Sequence, residues 1–140
     1  MRRVLVPCGR AAISVWGPIE RSPACAALAD SLKRHAGVQV AAAMRWLFCL
    51  SEPGDLHALL SGAGFDGIRM RTARKTTRFP SVAEFLRRYV PGSPVGSATA
   101  HMSEDDKRKV VADLETELAP WVDADGLRVT MEANTRVARR

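Results

Sequence analysis

Several features that would announce chemistry are missing from this sequence. Cys8, Cys25 and Cys49 are odd in number and far apart, with no Cys-x-x-Cys and no neighbouring histidine pair. Neither a disulfide framework nor a zinc site follows, and the thiols read as reduced cysteines of a cytoplasmic protein. No Gly-x-Gly-x-Gly loop occurs. The nearest approach, Gly62-Ala63-Gly64, follows a helical pattern and reads as a helix C-cap. His101 has no carboxylate or second histidine near it, and His35 and His57 fall in helical stretches with no ligand spacing, so surface positions are expected and no metal is implied. No catalytic triad or carboxylate pair stands out. No apolar stretch approaches bilayer length, and Pro7, Gly9 and Arg10 interrupt the run after Arg2-Arg3 that would otherwise imitate a signal peptide.

What is present is the composition of an ordinary globule, with 46% hydrophobic and 26% charged residues, which excludes disorder as the main state. At 140 residues one domain is expected, able to bury roughly two thirds of its unfolded surface. The formal charge of +6 admits a nucleic-acid partner. The basic residues are spread, however. The densest group, Arg69, Arg71, Arg74, Lys75 and Arg78, lacks interleaved aromatics and reads as a strand edge blunted by charge. A nucleic-acid partner is therefore not the expectation.

The chain is organised around Gly9 to Arg21. Ala11 to Trp16 is an apolar run too short for a helix and stopped by Gly17-Pro18. That pattern predicts a strand buried on both faces, in the middle of a sheet. Gly17 and Pro18 turn the chain sharply. Ligands of open α/β sheets lie beyond the carboxyl ends of strands, which makes Trp16, Glu20 and Arg21 candidate pocket residues.

Further along, Ser22-Pro23 predicts a helix start, with Leu28 and Leu32 as its core stripe and Gly37 closing it. Val38 to Met44 reads as a short second helix. Trp46 to Leu50 is a dense apolar knot whose Trp46 and Phe48 either plug the core or line a pocket for an apolar substrate. Ser51, Pro53 and Asp55 open a helix with Leu56, Leu59 and Leu60 on its buried face. In the strand that follows, Ile68, Met70 and Thr72 alternate with Arg69 and Arg71, so one face should be apolar and the other wet. Ser81 and Glu84 have capping-box spacing ahead of a helix with Phe85, Leu86 and Tyr89 inside. Residues 91 to 101 read as a mobile loop. Ser103 and the acidic run after it start the longest helix, with Val110, Val111, Leu114 and Leu118 buried and Pro120 ending it. Asp123 to Gly126 turns into a last strand, residues 127 to 138, that alternates Leu127, Val129, Met131, Ala133 and Val137 with Arg128, Thr130, Glu132, Asn134 and Arg136. This suits an antiparallel strand with one face less buried.

Residues 1 to 20, Leu59 to Arg71 with its Ala63-Gly64-Phe65 turn, and the helical stretch from Phe79 together resemble the carboxyl-terminal half of class I S-adenosylmethionine-dependent methyltransferases, those similar to the ubiquinone/menaquinone C-methylases. Cys8 stands where the first of two glycines is expected. The resemblance implies an α/β fold: a partial Rossmann-like sheet with strands equivalent to five, seven and six, the last strand antiparallel, and about four to five helices. Residues 1–140 would form one domain, with 80–120 a helical insert between the last two strands. The family's cofactor loop and acidic residue would precede Met1, so a shortened reading frame is expected and S-adenosylmethionine is implied for the family without being held by this chain alone.

The function this implies is the substrate-side half of a small-molecule methyltransferase, inactive by itself, with Trp16, Glu20, Arg21, Phe48 and Tyr89 toward the acceptor. The competing expectation is a non-catalytic binding module that forms a homodimer through an exposed first strand.

Overall fold

Three runs of alternating or apolar residues become the long strands, and their pairing decides everything else. In the computed structural model, which describes residues 1–140, β1 (Arg10–Trp16), β2 (Asp66–Phe79), β3 (Val122–Asp123) and β4 (Gly126–Arg139) form an open antiparallel sheet. Its order is β1-β4-β2, and the two-residue β3 pairs with β4 in a hairpin. The last strand thus lies between the first and second, antiparallel to both. Register runs from Arg10 opposite Arg139 to Trp16 opposite Ala133, and from Arg69 opposite Val137 to Phe79 opposite Leu127, with an irregularity between Asp66 and Arg69. The hairpin needs Gly126: its φ is +100°, and a Cβ there would stand 2.2 Å from the Phe79 carbonyl oxygen.

Six helices surround this sheet: α1 (Pro23–His35), α2 (Val38–Trp46), α3 (Pro53–Gly62), α4 (Val82–Tyr89), α5 (Gly96–Thr99) and α6 (Glu104–Glu117). The extra one, α5, is a single turn inside the stretch expected to be a loop. Val95 anchors it in full burial, and Thr99 Oγ1 bonds back to the Val95 and Gly96 carbonyls. The Ser81 and Ser103 hydroxyls accept from the Glu84 and Asp106 amides at 3.1 Å, so both serines cap as expected. The reciprocal half of the Ser81–Glu84 box does not form, because Arg87 and Arg88 take the Glu84 carboxylate. Ser22 occupies the α1 cap position without a capping bond and is buried instead.

Because side chains alternate along a strand, the register divides the sheet into two faces. Ala11, Ile13 and Val15 share one face with Glu132, Asn134, Arg136 and Ala138. Arg10, Ala12, Ser14 and Trp16 share the other with Leu127, Val129, Met131, Thr135, Val137 and Arg139. The main core, in which Leu28, Leu32, Met44, Phe85, Leu114, Leu118 and Leu127 are all but inaccessible, lies where α1, α4 and α6 cover the second face at the Leu127 end. A smaller cluster of Ala11, Leu56, Leu60, Phe65 and Ala138 lies where α3 covers the first face at the other end.

Cover changes sides halfway along β4, and three expectations change with it. The first strand is an edge strand, not a central one: it pairs only with β4, and only Ala11 is buried. Apolar content alone cannot distinguish one covered face from two. On β2 the expected apolar face is open, with Met70 45% exposed, because this long edge strand extends past the helices. On β4 the polar set is the buried one beyond Met131: Glu132, Asn134 and Arg136 are 4%, 7% and 6% exposed, because the 47–53 segment and α3 lie over them.

Candidate functional site

Trp16 ends β1, and α2 ends at Trp46. The turn after Trp46 brings the two indoles to one hollow of about 420 Å³ beside β1, lined also by Ser14, Val15, Leu47, Cys49 and Leu50. Trp16 is 39% and Trp46 70% exposed, so both indoles are open to a ligand or partner. The volume suits a small molecule. Polar groups are few: the Ser14 hydroxyl already accepts from Thr135 Oγ1 at 3.2 Å, and Cys49 is an exposed free thiol. The hollow can hold a flat apolar ligand and offers no strong acid or base.

Arg21 follows a 3-10 turn (Ile19–Arg21) after the Gly17-Pro18 bend. Its Nη1 donates to Glu132 Oε1 at 2.8 Å, while Arg74 Nη2 on β2 donates to Oε2 at 3.0 Å. These bonds, the one from Arg74 foremost, outweigh burial and hold the Glu132 carboxyl below its ordinary value. Glu132 therefore stays ionised with both oxygens engaged. The polar row continues with Thr72 Oγ1 donating to Asn134 Oδ1 at 2.8 Å and Asn134 Nδ2 donating to the Ser51 carbonyl at 3.3 Å. Arg136 donates to the Pro53 carbonyl, and its Nε has no partner. This row ties the 47–53 segment to the sheet and so sets the back of the Trp16–Trp46 hollow.

The remaining sequence-chosen residues disperse. Glu20 is exposed on the 3-10 turn. Phe48, at 5% exposure, belongs to the main core and does not line the hollow that its neighbours Leu47 and Cys49 line. Tyr89 stacks on Phe85 with ring centroids 5.2 Å apart, and its hydroxyl receives the Cys25 thiol at 3.6 Å. Burial raises Tyr89 well above the ordinary phenol value and pushes the Cys25 thiol up to about 11, so both are neutral packing groups. Of the five residues, only Trp16 borders the hollow and only Arg21 joins the polar row.

Two arrangements escaped the sequence. A second apolar hollow of about 380 Å³ opens between α1, α4, α5 and α6, among Leu28, Leu32, Leu86, Val90, Met102 and Val110. The cations at its rim are committed, Arg87 to Glu84 and Lys107 to Glu104. Its lining was legible as core stripes, but that the stripes fail to close is a tertiary fact. The other is the contact of α1 with α6: Ser31 Oγ and His35 Nε2 lie 2.9 and 2.8 Å from Asp113 Oδ2, with Arg34 at 2.9 Å. These partners are about eighty residues apart in sequence, beyond any spacing rule. The set braces two helices.

No protein-family model and no curated protein matches this chain. Neither Gly17 nor Gly64 offers S-adenosylmethionine an open glycine backbone. Gly17, the glycine at the carboxyl end of β1, faces the Glu132 side chain instead of open space. Gly64 closes α3 with φ +79°, and its carbonyl receives Arg2 Nε at 2.8 Å. No helix is long and apolar enough to cross a membrane.

Proposed function

We propose that this chain is the acceptor-side portion of a methyltransferase-like sheet, inactive by itself, which a donor-side unit completes along β1. The observation that carries the reading is the strand arrangement. The last strand runs antiparallel between the first and second, and the outer edge of β1 has no partner. The order first, last, second is the one that the resemblance implies for strands five, seven and six. A reaction governed by alignment of acceptor and donor needs walls more than acid–base groups. The hollow between Trp16 and Trp46 supplies walls, lies along the same open edge, and suits a small apolar acceptor. The donor's own site belongs to the completing unit.

The test is to co-express the chain with a methyltransferase donor-side domain. Retention of labelled S-adenosylmethionine by the complex, with hydrogen-exchange protection appearing in residues 10–16, is the expected result. Submicromolar binding of S-adenosylmethionine to the chain alone, measured by calorimetry, would overturn the reading. So would the absence of any complex. The same open edge favours a second reading, a non-catalytic module that forms a homodimer by β1 pairing. Sedimentation separates the two: a dimer with β1 amides already protected supports the module.

A further inference from the structure

The half of the sheet's second face beyond Met131 has no helix over it, and it carries cations. Arg10 on β1, Arg139 on β4 and Arg69 on β2 border a hollow of about 290 Å³ with Gly67 and Val137. Arg10 and Arg139 are directly opposite in register, and Arg69 is opposite Val137, the next residue inward on the same face. None of the three, nor Arg71 and Lys75 further along that face of β2, takes part in any of the ion pairs of the molecule. Asp66 borders the adjoining hollow with Arg10, Arg139 and Arg140 and is unpaired as well. Like charges placed directly opposite across a sheet cost stability. The arrangement therefore makes sense with an anion between the guanidinium groups.

The chemistry of that anion follows from the donors. A guanidinium presents a planar fork that matches carboxylate or phosphate oxygens. A single carboxylate satisfies one fork, whereas three forks around one hollow call for several oxygens and more than one negative charge. We propose that Arg10, Arg69 and Arg139 form a binding site for a phosphoryl group. Arg71 and Lys75 continue the row, so a ligand with successive phosphoryl groups lies along β2. This site is on the far half of the face from the main core and does not depend on the methyltransferase reading.

The experiment is thermal unfolding of the full chain in inorganic phosphate and in pyrophosphate against chloride of equal ionic strength. A rise in Tm on the order of 5 °C is expected near a hundredfold excess over Kd. The Arg10→Gln, Arg69→Gln double variant should lose that rise while its Tm in chloride is unchanged or higher, since opposed charges are relieved. A fluorescent single-stranded oligonucleotide identifies the source. Binding about tenfold tighter than pyrophosphate, weakening with salt and lost in Arg71→Gln, Lys75→Gln, assigns a nucleic-acid backbone. Equal or weaker binding assigns a small phosphorylated ligand. No phosphate-dependent rise, or the same rise in the double variant, overturns the site.

Discussion

The Glu132 side chain lies across Gly17. The Gly17 amide donates to the Glu132 carbonyl at 2.8 Å, and a Cβ at position 17 would come within 2.9 Å of Oε1 and 3.2 Å of the Glu132 Cβ and Cγ. The bend that ends β1 and the brace that holds it are thus one unit. Gly17→Ala should destabilise the chain by about 1–3 kcal/mol through overpacking. It should also loosen the turn that carries Arg21. Denaturant unfolding gives the first effect, and faster hydrogen exchange in residues 19–22 gives the second.

The two buried charges of β4 should respond in opposite ways. Glu132 is held by Arg21 and Arg74, whereas Arg136 has one carbonyl partner, an orphaned Nε and no carboxylate. An uncompensated buried charge is costly, and an apolar replacement of similar volume is often neutral or better. Arg136→Met should therefore leave stability unchanged or raise it by about 1 kcal/mol. Glu132→Gln should lower Tm by more than Arg74→Gln does, because Arg21 keeps hold of the carboxylate when Arg74 is gone. Thermal melts of the three variants decide the order.

Cysteine labelling should divide two to one. Cys8 and Cys49 are exposed, whereas Cys25 is buried between the Tyr89 hydroxyl and Met131 Sδ, with its thiol pushed up to about 11 by burial. The thiolate is the reactive form. A neutral-pH alkylating reagent should modify two thiols within minutes and Cys25 only after denaturation, as mass spectrometry of peptides would show.

Acid should weaken the helical layer in a defined window. Hydrogen bonds from Arg87 and Arg88 bring the Glu84 carboxyl from 4.5 down to about 2. Burial pushes Asp113 up, yet its bonds from His35 and Ser31 and the charge of Arg34 hold it below its ordinary 3.8. A carboxylate depressed in the folded state contributes stability that is complete above its unfolded value and is lost as pH falls toward the folded one. Stability should then decline from about pH 4.5 downward, toward about pH 2 for Glu84. Glu84→Gln should flatten part of that slope, measured by urea midpoints across the window.

Local signals were legible wherever a few adjacent residues complete a motif. The Ser81 and Ser103 caps and the Pro23 and Pro53 helix starts each need only neighbours, and each formed. Ala11 to Trp16 shows the limit. Its residues specify a strand well, but burial on two faces or one depends on what packs against it. Phe48 and Trp46 make the same point, since two aromatics two residues apart ended in the core and at the surface. The polar row of Glu132, Asn134 and Arg136 looked solvated because its covering segment, residues 47–53, is eighty residues away along the chain.

The amino-acid sequence by itself determined the longer helices and strands, the Ser81 and Ser103 caps, and how side chains alternate along β4, because these depend on backbone geometry and contacts within a few residues. Only the tertiary structure decided that β1 is an edge strand, that cover changes faces at Met131, and that Trp16 meets Trp46 while Arg10 meets Arg139. Those outcomes depend on pairing between segments far apart in the chain, and alternation specifies two faces without specifying which one will be covered.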